Sequence, residues 1–222
     1  RDIDRQVART AQRPLAAGAL GLRQAWAWLV AQALVGLAVL LALLDVSRLA
    51  VIVALGSLPL VAAYPLMKRI TWWPQLWLGL TFNWGALVAA AVDGRIGTSD
   101  LALYAALVAW TLGYDTIYAL QDREDDALIG VRSTARRFGG QVRPAIWSIY
   151  LACAALMLTA GGLAGGLAAA LAVIPFAAHL LQQAARLKPD SAPVALLLFR
   201  SNRDAGVLLV AGWAFVASQG LR

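Results

Sequence analysis

From about position 25 onward, apolar runs close to twenty residues long alternate with short charged stretches. Crossing about 30 Å of hydrocarbon takes roughly 20 helical residues, so each run predicts a membrane span. Seven are read, over roughly 25–44, 49–67, 73–92, 101–120, 144–160, 167–185 and 205–217, the last one short. Helices are the open-chain solution in lipid, because each backbone amide must be satisfied inside its own segment. The pattern therefore predicts an all-α integral membrane protein: a multi-helix transmembrane bundle forming one domain over residues 1–222.

Alternating the spans sorts the connecting segments into two sides. One side takes the N-terminus to Arg23, the Lys68-Arg69 turn, the segment from about Asp122 to Arg143, and Arg186–Arg203; it holds 16 of the 19 basic residues. Arg48, Arg95 and Arg222 fall on the other. An excess of Lys and Arg marks the cytoplasmic side, and so lopsided a split also supports the span count. With a proteobacterium-like preference for arginine over lysine, the expected location is a bacterial inner membrane with the basic loops cytoplasmic.

Composition changes the picture only by exclusion. At 61% hydrophobic and 14% charged residues, the chain departs in both directions from the about 45–50% and roughly 25% of soluble domains. A soluble enzyme and a disordered chain are both excluded. The net charge of +7 belongs to the basic loops rather than to a nucleic-acid surface. The single cysteine, Cys153 in LACAALML, reads as a small buried hydrophobe. Trp72 and Trp73, beside Lys68-Arg69, read as interfacial anchors. GGLAGG at 161–166 reads as a tight turn between spans, and His179 as a helix-packing residue bonded to a neighbour. The chain opens on Arg1 and a dozen densely charged positions with no signal core, and is expected to be a fragment.

Acidic residues near a membrane are costly, about 2.5–3.5 kcal/mol at a helix centre, yet GYDTIYALQDREDDALIG concentrates five of them at the basic-side end of the fourth span. Asp115, Tyr118, Asp122 and Asp126 are spaced 3, 4 and 4 apart, so on one helix they would form a stripe. A solvated acidic loop would explain the charge but neither the stripe nor its basic neighbours. Such carboxylates suit Mg2+, which takes one or two of them plus phosphate oxygens. Lys68, Arg69, Arg132, Arg136 and Arg137, on the same side, complement a polyanion, most simply a diphosphate. Asp4, with Arg9 and Arg13, lies four spans from Asp122 and so faces the same compartment. Two acidic sites and a basic rim at one mouth fit the ionisation of an allylic diphosphate.

With these motifs the chain resembles the UbiA superfamily of intramembrane prenyltransferases, and within it the branch that prenylates 4-hydroxybenzoate. DIDRQVARTAQRPLAAG matches the end of the family's NDxxDxxxD motif and the VxRTxxRPLxxG segment after it, with Asp4 as the final acid. YPLMKRITWWPQ carries YxxxK at Tyr64 and Lys68, and LWLGLTFNWG continues it. YDTIYALQDREDD carries the second acidic motif, DxxxD, at Asp122 and Asp126, followed by GVRSTARRFG. Glu124 and Arg132 stand where Asp and Lys are frequent, with charge kept. The resemblance implies a nine-helix fold of which about seven spans are present, the first helix and most of the second missing, so that the fragment alone is expected to be inactive.

It further implies magnesium (Mg2+) at Asp122, Asp125 and Asp126 and at Asp4, and a polyprenyl diphosphate held by Lys68 and more weakly by Arg132, Arg136 and Arg137. The acceptor, 4-hydroxybenzoate, attacks ortho to its hydroxyl. Arg69 is expected to meet its carboxylate and Asp115 to orient the phenol or take the proton, with Asn83 and Tyr118 lining the pocket. Two other readings are weighed. Sister enzymes acting on haem, homogentisate, dihydroxynaphthoate or a chlorophyllide share the acids but differ at the acceptor. A transporter predicts inverted repeats with acids across the bilayer, whereas both clusters here point one way.

Overall fold

Every predicted apolar run is helical in the structure, a computed structural model that describes Arg5 and residues 10–220. No strand occurs among the described residues. Helix α1 spans Leu22–Ala42; α2 (Arg48–Gly56) and α3 (Leu58–Ile70) share the second limb; α4 (Pro74–Phe82) and α5 (Trp84–Val92) share the third. Helix α6 runs from Thr98 to Ala119, and a 3-10 turn at Leu120–Asp122 leads to two short helices, α7 (Arg123–Leu128) and α8 (Thr134–Phe138). The remaining helices are α9 (Val142–Leu171), α10 (Ile174–Arg186), α11 (Ala192–Arg200) and α12 (Asn202–Ser218). Four stretches among the described residues are long and apolar enough to cross a membrane: Leu22–Asp45, Arg48–Ile70, Pro74–Val92 and Thr134–Leu171. The other limbs are shorter, or, like α6, carry acids. Helix α1 buries none of its side chains, as suits a helix surrounded by acyl chains.

The core lies around α6, which packs along α9 and against α4, α5, α8 and α11. Glycines let the backbones close in. At Gly113 an added Cβ would stand 2.2 Å from the Tyr150 ring, and at Gly79 it would stand 2.9 Å from the Val108 carbonyl oxygen. Cys153 is buried as expected, and His179 Nε2 lies 3.2 Å from Ser201 Oγ.

Three features depart from the sequence reading. The first pair of glycines in GGLAGG stays helical, with Gly161 close against the Ala169 carbonyl; the chain bends only at Gly165 and Gly166, the latter at φ +67°, where a side chain would be strained. Second, part of the segment 186–203, read as a loop, is helix α11, started by Pro193 in its first turn. Third, the second, third and sixth predicted runs are broken, at Ser57, at Asn83 and at Ala172–Val173, and a further break at Ser201 parts α11 from α12, which holds the seventh run unbroken. Asn83 secures its break by donating from Nδ2 to Gly79 O (2.9 Å) and to Thr111 Oγ1 of α6 (2.8 Å). In lipid an interrupted helix is tolerated where side chains re-satisfy the freed groups.

Candidate functional site: an acidic mouth tied by arginine and threonine

The end of α3 and the segment from the 3-10 turn through α8 meet at one end of the bundle. Their backbones are bonded directly, Arg132 N donating to Lys68 O at 3.0 Å. The Arg132 guanidinium donates to Ile70 O at 2.8 Å. From the other side Arg136 donates to the carbonyls of Asp126 and Val131, and Val131 N closes the turn onto Asp126 O at 2.9 Å. Both guanidiniums lie over Trp72, at 5.7 and 5.3 Å from the ring centroid, within cation–π range. Trp72 is therefore a platform for two arginines, a role the sequence reading does not give it, while Trp73 meets Phe138 edge-on at 5.7 Å. Arg132 and Arg136 act here first as ties, each with donors already committed to carbonyls, rather than as a free rim.

Beneath these ties runs a buried polar chain. Thr134 N donates to Gln75 Oε1 (3.0 Å), the Thr134 and Thr116 hydroxyls are 2.6 Å apart, and Thr116 Oγ1 lies 2.6 Å from Leu112 O. It fastens α8 to α4 and α6. The sequence reading passed over these three residues, although a glutamine and two threonines in otherwise apolar surroundings were a signal. Gln75→Met should leave the buried Thr134 amide without its acceptor, at a cost of about 1–3 kcal/mol. The expected readout is faster hydrogen exchange in peptides covering 129–138, with α9 unchanged.

The acidic stripe does not form on one helix. The 3-10 turn at Leu120–Asp122 interrupts it, so α6 carries Asp115 and Tyr118, Asp122 stands at the N-cap position of α7 without a side-chain cap bond, and Asp126 lies one turn on. Asp122 and Asp126 are nonetheless both buried, at 8% and 6% exposure, at an α-helix N-terminus where the backbone dipole favours negative charge. Asp125 is a correction. One residue, about 100° of helix rotation, separates it from Asp126, and it lines a different hollow with Glu124, Arg123 and Asp190. There Arg123 and Asp190 form a 2.9 Å ion pair. Among the described residues no three His, Cys, Asp or Glu groups gather as a metal cluster; Asp122 and Asp126 offer a pair. A pair fits magnesium, which dehydrates reluctantly and completes its shell with water and phosphate oxygens.

The other expected residues are distributed as follows. Tyr64 on α3 is half-buried, and the Asp115 charge on α6 reaches its phenol. Lys68 and Arg69 end α3 with exposed side chains, as do Arg137 on α8 and Arg13 on the turns before α1. Tyr118 packs on Phe199 of α11, ring centroids 4.4 Å apart. Asn83 borders a cavity between the α4–α5 and α11–α12 breaks, with its amide engaged as above. Asp4 and Arg9 lie outside the described residues.

This architecture, a helical membrane bundle with a carboxylate pair and cations at one mouth, agrees with what the chain matches. Residues 1–203 match the UbiA prenyltransferase family, and the chain belongs to that family. It is 44% identical over 222 residues to the mitochondrial 4-hydroxybenzoate polyprenyltransferase of Aedes aegypti, covering 96% of this chain and 48% of that one. To the Homo sapiens protein of the same name it is 43% identical over 216 residues, covering 95% and 57%. The chain spans about half the length of the curated relatives it matches. Among solved structures, the apo form of a UbiA homolog from Aeropyrum pernix K1 superposes with a TM-score of 0.78 at 28% identity, covering 96% of this chain and 80% of that one. The chain is an integral membrane protein.

Proposed function

We propose that this chain belongs to an enzyme that transfers a polyprenyl group from an allylic diphosphate to 4-hydroxybenzoate, ortho to the hydroxyl, in ubiquinone synthesis. The observation that carries the reading is the buried Asp122–Asp126 pair fixed beside Lys68 by the Lys68–Arg132 backbone bond, in a chain whose relatives bear that activity in their names. The mouth lies on the side with the basic loops, which is taken as cytoplasmic in a bacterium or as the matrix side in a mitochondrion.

Asp122 and Asp126, with Asp4 at the first motif, would hold magnesium. Bound there, the ion would offset charge on the departing diphosphate. The protein's own part begins with Lys68, whose ammonium, on a side chain free to extend from the end of α3, meets the phosphate oxygens; Arg69, Arg137 and Arg13 add positive potential. Trp72, Arg132 and Arg136 hold the mouth's backbone in place. The allylic carbon–oxygen bond breaks, the diphosphate leaves with the bonding pair, and the ring carbon ortho to the phenol forms the new carbon–carbon bond. Asp115 takes the ring proton, which restores aromaticity. Tyr118, fixed on Phe199, walls the cation from water.

Assaying the full-length protein with a polyprenyl diphosphate and a panel of aromatic acceptors tests this. 4-Hydroxybenzoate should be prenylated at least about tenfold better, by kcat/KM, than homogentisate or dihydroxynaphthoate. A reversed order would replace the acceptor, and no product with any of them would end the reading.

A further inference from the structure

The basic side carries three cations that no step above uses, where the start of α9 meets the end of α10. Arg143, in the first turn of α9, donates from Nη2 to Ala185 O in the last turn of α10 at 2.9 Å. Arg186 follows Ala185 directly, and Lys188 lies two residues further on. Leu187 between them is buried at 2% exposure, whereas all three cations are exposed. Among the described residues none of the three makes an ion pair. Asp190, the acid closest to them in the chain, is taken by Arg123 at 2.9 Å.

Helix electrostatics accounts for part of this group. The dipole of α10 favours a cation near its C-terminus, which suits Arg186. It disfavours Arg143, which stands at the N-terminal end of α9 in a turn with no acid to offset it. One turn further into α9, on the same face, is Trp147, part-buried against the core. Trp77, Trp84, Trp110 and Trp213 each donate Nε1 to an oxygen of the protein. Trp147 Nε1 has no acceptor among the described residues. The same row, every fourth residue, continues through exposed Leu151 and Ala155. Down one face of α9 the chemistry thus runs from clustered cations to a single N–H donor to bare hydrocarbon.

We propose that this row binds an anionic phospholipid of the surrounding membrane. Its phosphate sits among Arg143, Arg186 and Lys188, Trp147 Nε1 donates to an ester carbonyl, and an acyl chain lies along Leu151 and Ala155. The order of groups along α9 is the order of groups along such a lipid, from headgroup to tail. Basic clusters between helices on the cytoplasmic or matrix side suit anionic headgroups, and guanidiniums match phosphate oxygens with parallel hydrogen bonds. A soluble phosphate would use the cations but leave the indole N–H and the apolar row without a role. A zwitterionic lipid would bring its own cation into a cluster that already lacks an anion. The lipid would bridge α9 and α10 at the point where Arg143 already ties them. The site is independent of the chemistry proposed above.

The test is native mass spectrometry of the full-length protein in detergent, titrated with phosphatidylglycerol or phosphatidylcholine. The wild type should bind phosphatidylglycerol at least about tenfold more tightly. The triple variant Arg143→Gln, Arg186→Gln, Lys188→Gln should lose that preference, a fall of about tenfold or more. A control triple, Arg23→Gln, Arg48→Gln, Arg95→Gln, removes the same charge elsewhere and should keep it. Arg186→Gln with Lys188→Gln leaves the Arg143–Ala185 bond intact, so it covers the case in which the triple variant fails to fold; it should lose several-fold. Trp147→Phe should weaken the ester lipid several-fold and an ether-linked analogue, which lacks the carbonyl, not at all. Equal binding of the two lipids by the wild type, or equal losses in the two triple variants, overturns the inference in favour of diffuse attraction. Displacement of the bound lipid by millimolar inorganic diphosphate overturns it in favour of a free polyphosphate.

Discussion

Asp122→Ala in the full-length protein should abolish prenyl transfer, by at least about a hundredfold to a thousandfold in kcat, and raising magnesium should not restore it. The loss of one preorganised group that meets developing charge costs that much in other enzymes, and here the substitution also halves the only buried carboxylate pair at the mouth among the described residues. Asp126→Asn should behave similarly, because an amide keeps the shape but gives up the charge. The discriminating comparison is Asp125→Asn. Asp125 stands in the same acidic run and is expected from the sequence as a further metal ligand, but it lines the hollow beside Asp190. It should keep activity within about threefold of wild type, in line with most surface substitutions. Equal losses at 122, 125 and 126 would mean that the run acts as a diffuse acidic loop. Turnover like wild type in Asp122→Ala would remove the second motif from the mechanism.

That contrast shows where sequence stops. Apolar length and charge asymmetry made the helical limbs legible, because lipid thickness imposes a length that composition alone reveals. The 3, 4, 4 spacing of Asp115, Tyr118, Asp122 and Asp126 presumed an unbroken helix. The chain instead changes to 3-10 geometry at Leu120–Asp122, and the face each acid occupies after that turn is set by what α7 packs against. Asp122 and Asp126 survive as a pair since one ends the turn at the N-cap position of α7 and the other lies four residues on, within that helix. Asp125 does not join them.

The breaks at Ser57, Asn83 and Ser201 were illegible for a related reason. A single polar residue in an apolar run is compatible with a straight helix until its partners are known. For Asn83 the partners include Thr111, 28 positions away, and for Ser201 they include Gln183, 18 positions away. Charge misled in the opposite direction at 186–203. Arg186, Lys188, Arg200 and Arg203 gave that stretch the composition of a loop, whereas Pro193 and the apolar run behind it start a helix that delivers Arg200 to a cavity. For the arginines at 132 and 136, sequence shows five donors each but not the carbonyls of Ile70, Asp126 and Val131 that some of them hold.

Gly113→Ala should be the most destabilising small substitution in the bundle. The added Cβ would sit 2.2 Å from Tyr150 Cε1 and 2.8 Å from its Cδ1, closer than any real contact, so a helix or the ring must move. The ring has nowhere to go: Tyr150 is fully buried, and its hydroxyl is held at 2.9 Å by Gln183, which also holds Ser201. Overpacking typically costs about 1–3 kcal/mol, and a clash against a tethered aromatic belongs at or above the top of that range. Thermal unfolding of the purified protein in detergent should show a large drop in midpoint. The clash explanation makes a further demand through a double-mutant cycle. Tyr150→Leu, itself destabilising, removes the obstructing ring, so adding Gly113→Ala to it should cost much less than in the wild type. If the two losses simply add, Gly113 matters for some reason other than the approach of α6 to α9. If the double mutant recovers, the Gly113–Tyr150 contact is what lets these helices close. The same ring, through Gln183 and Ser201, then sets the position of the α11–α12 break, so Gly113→Ala should also speed hydrogen exchange in peptides spanning that break.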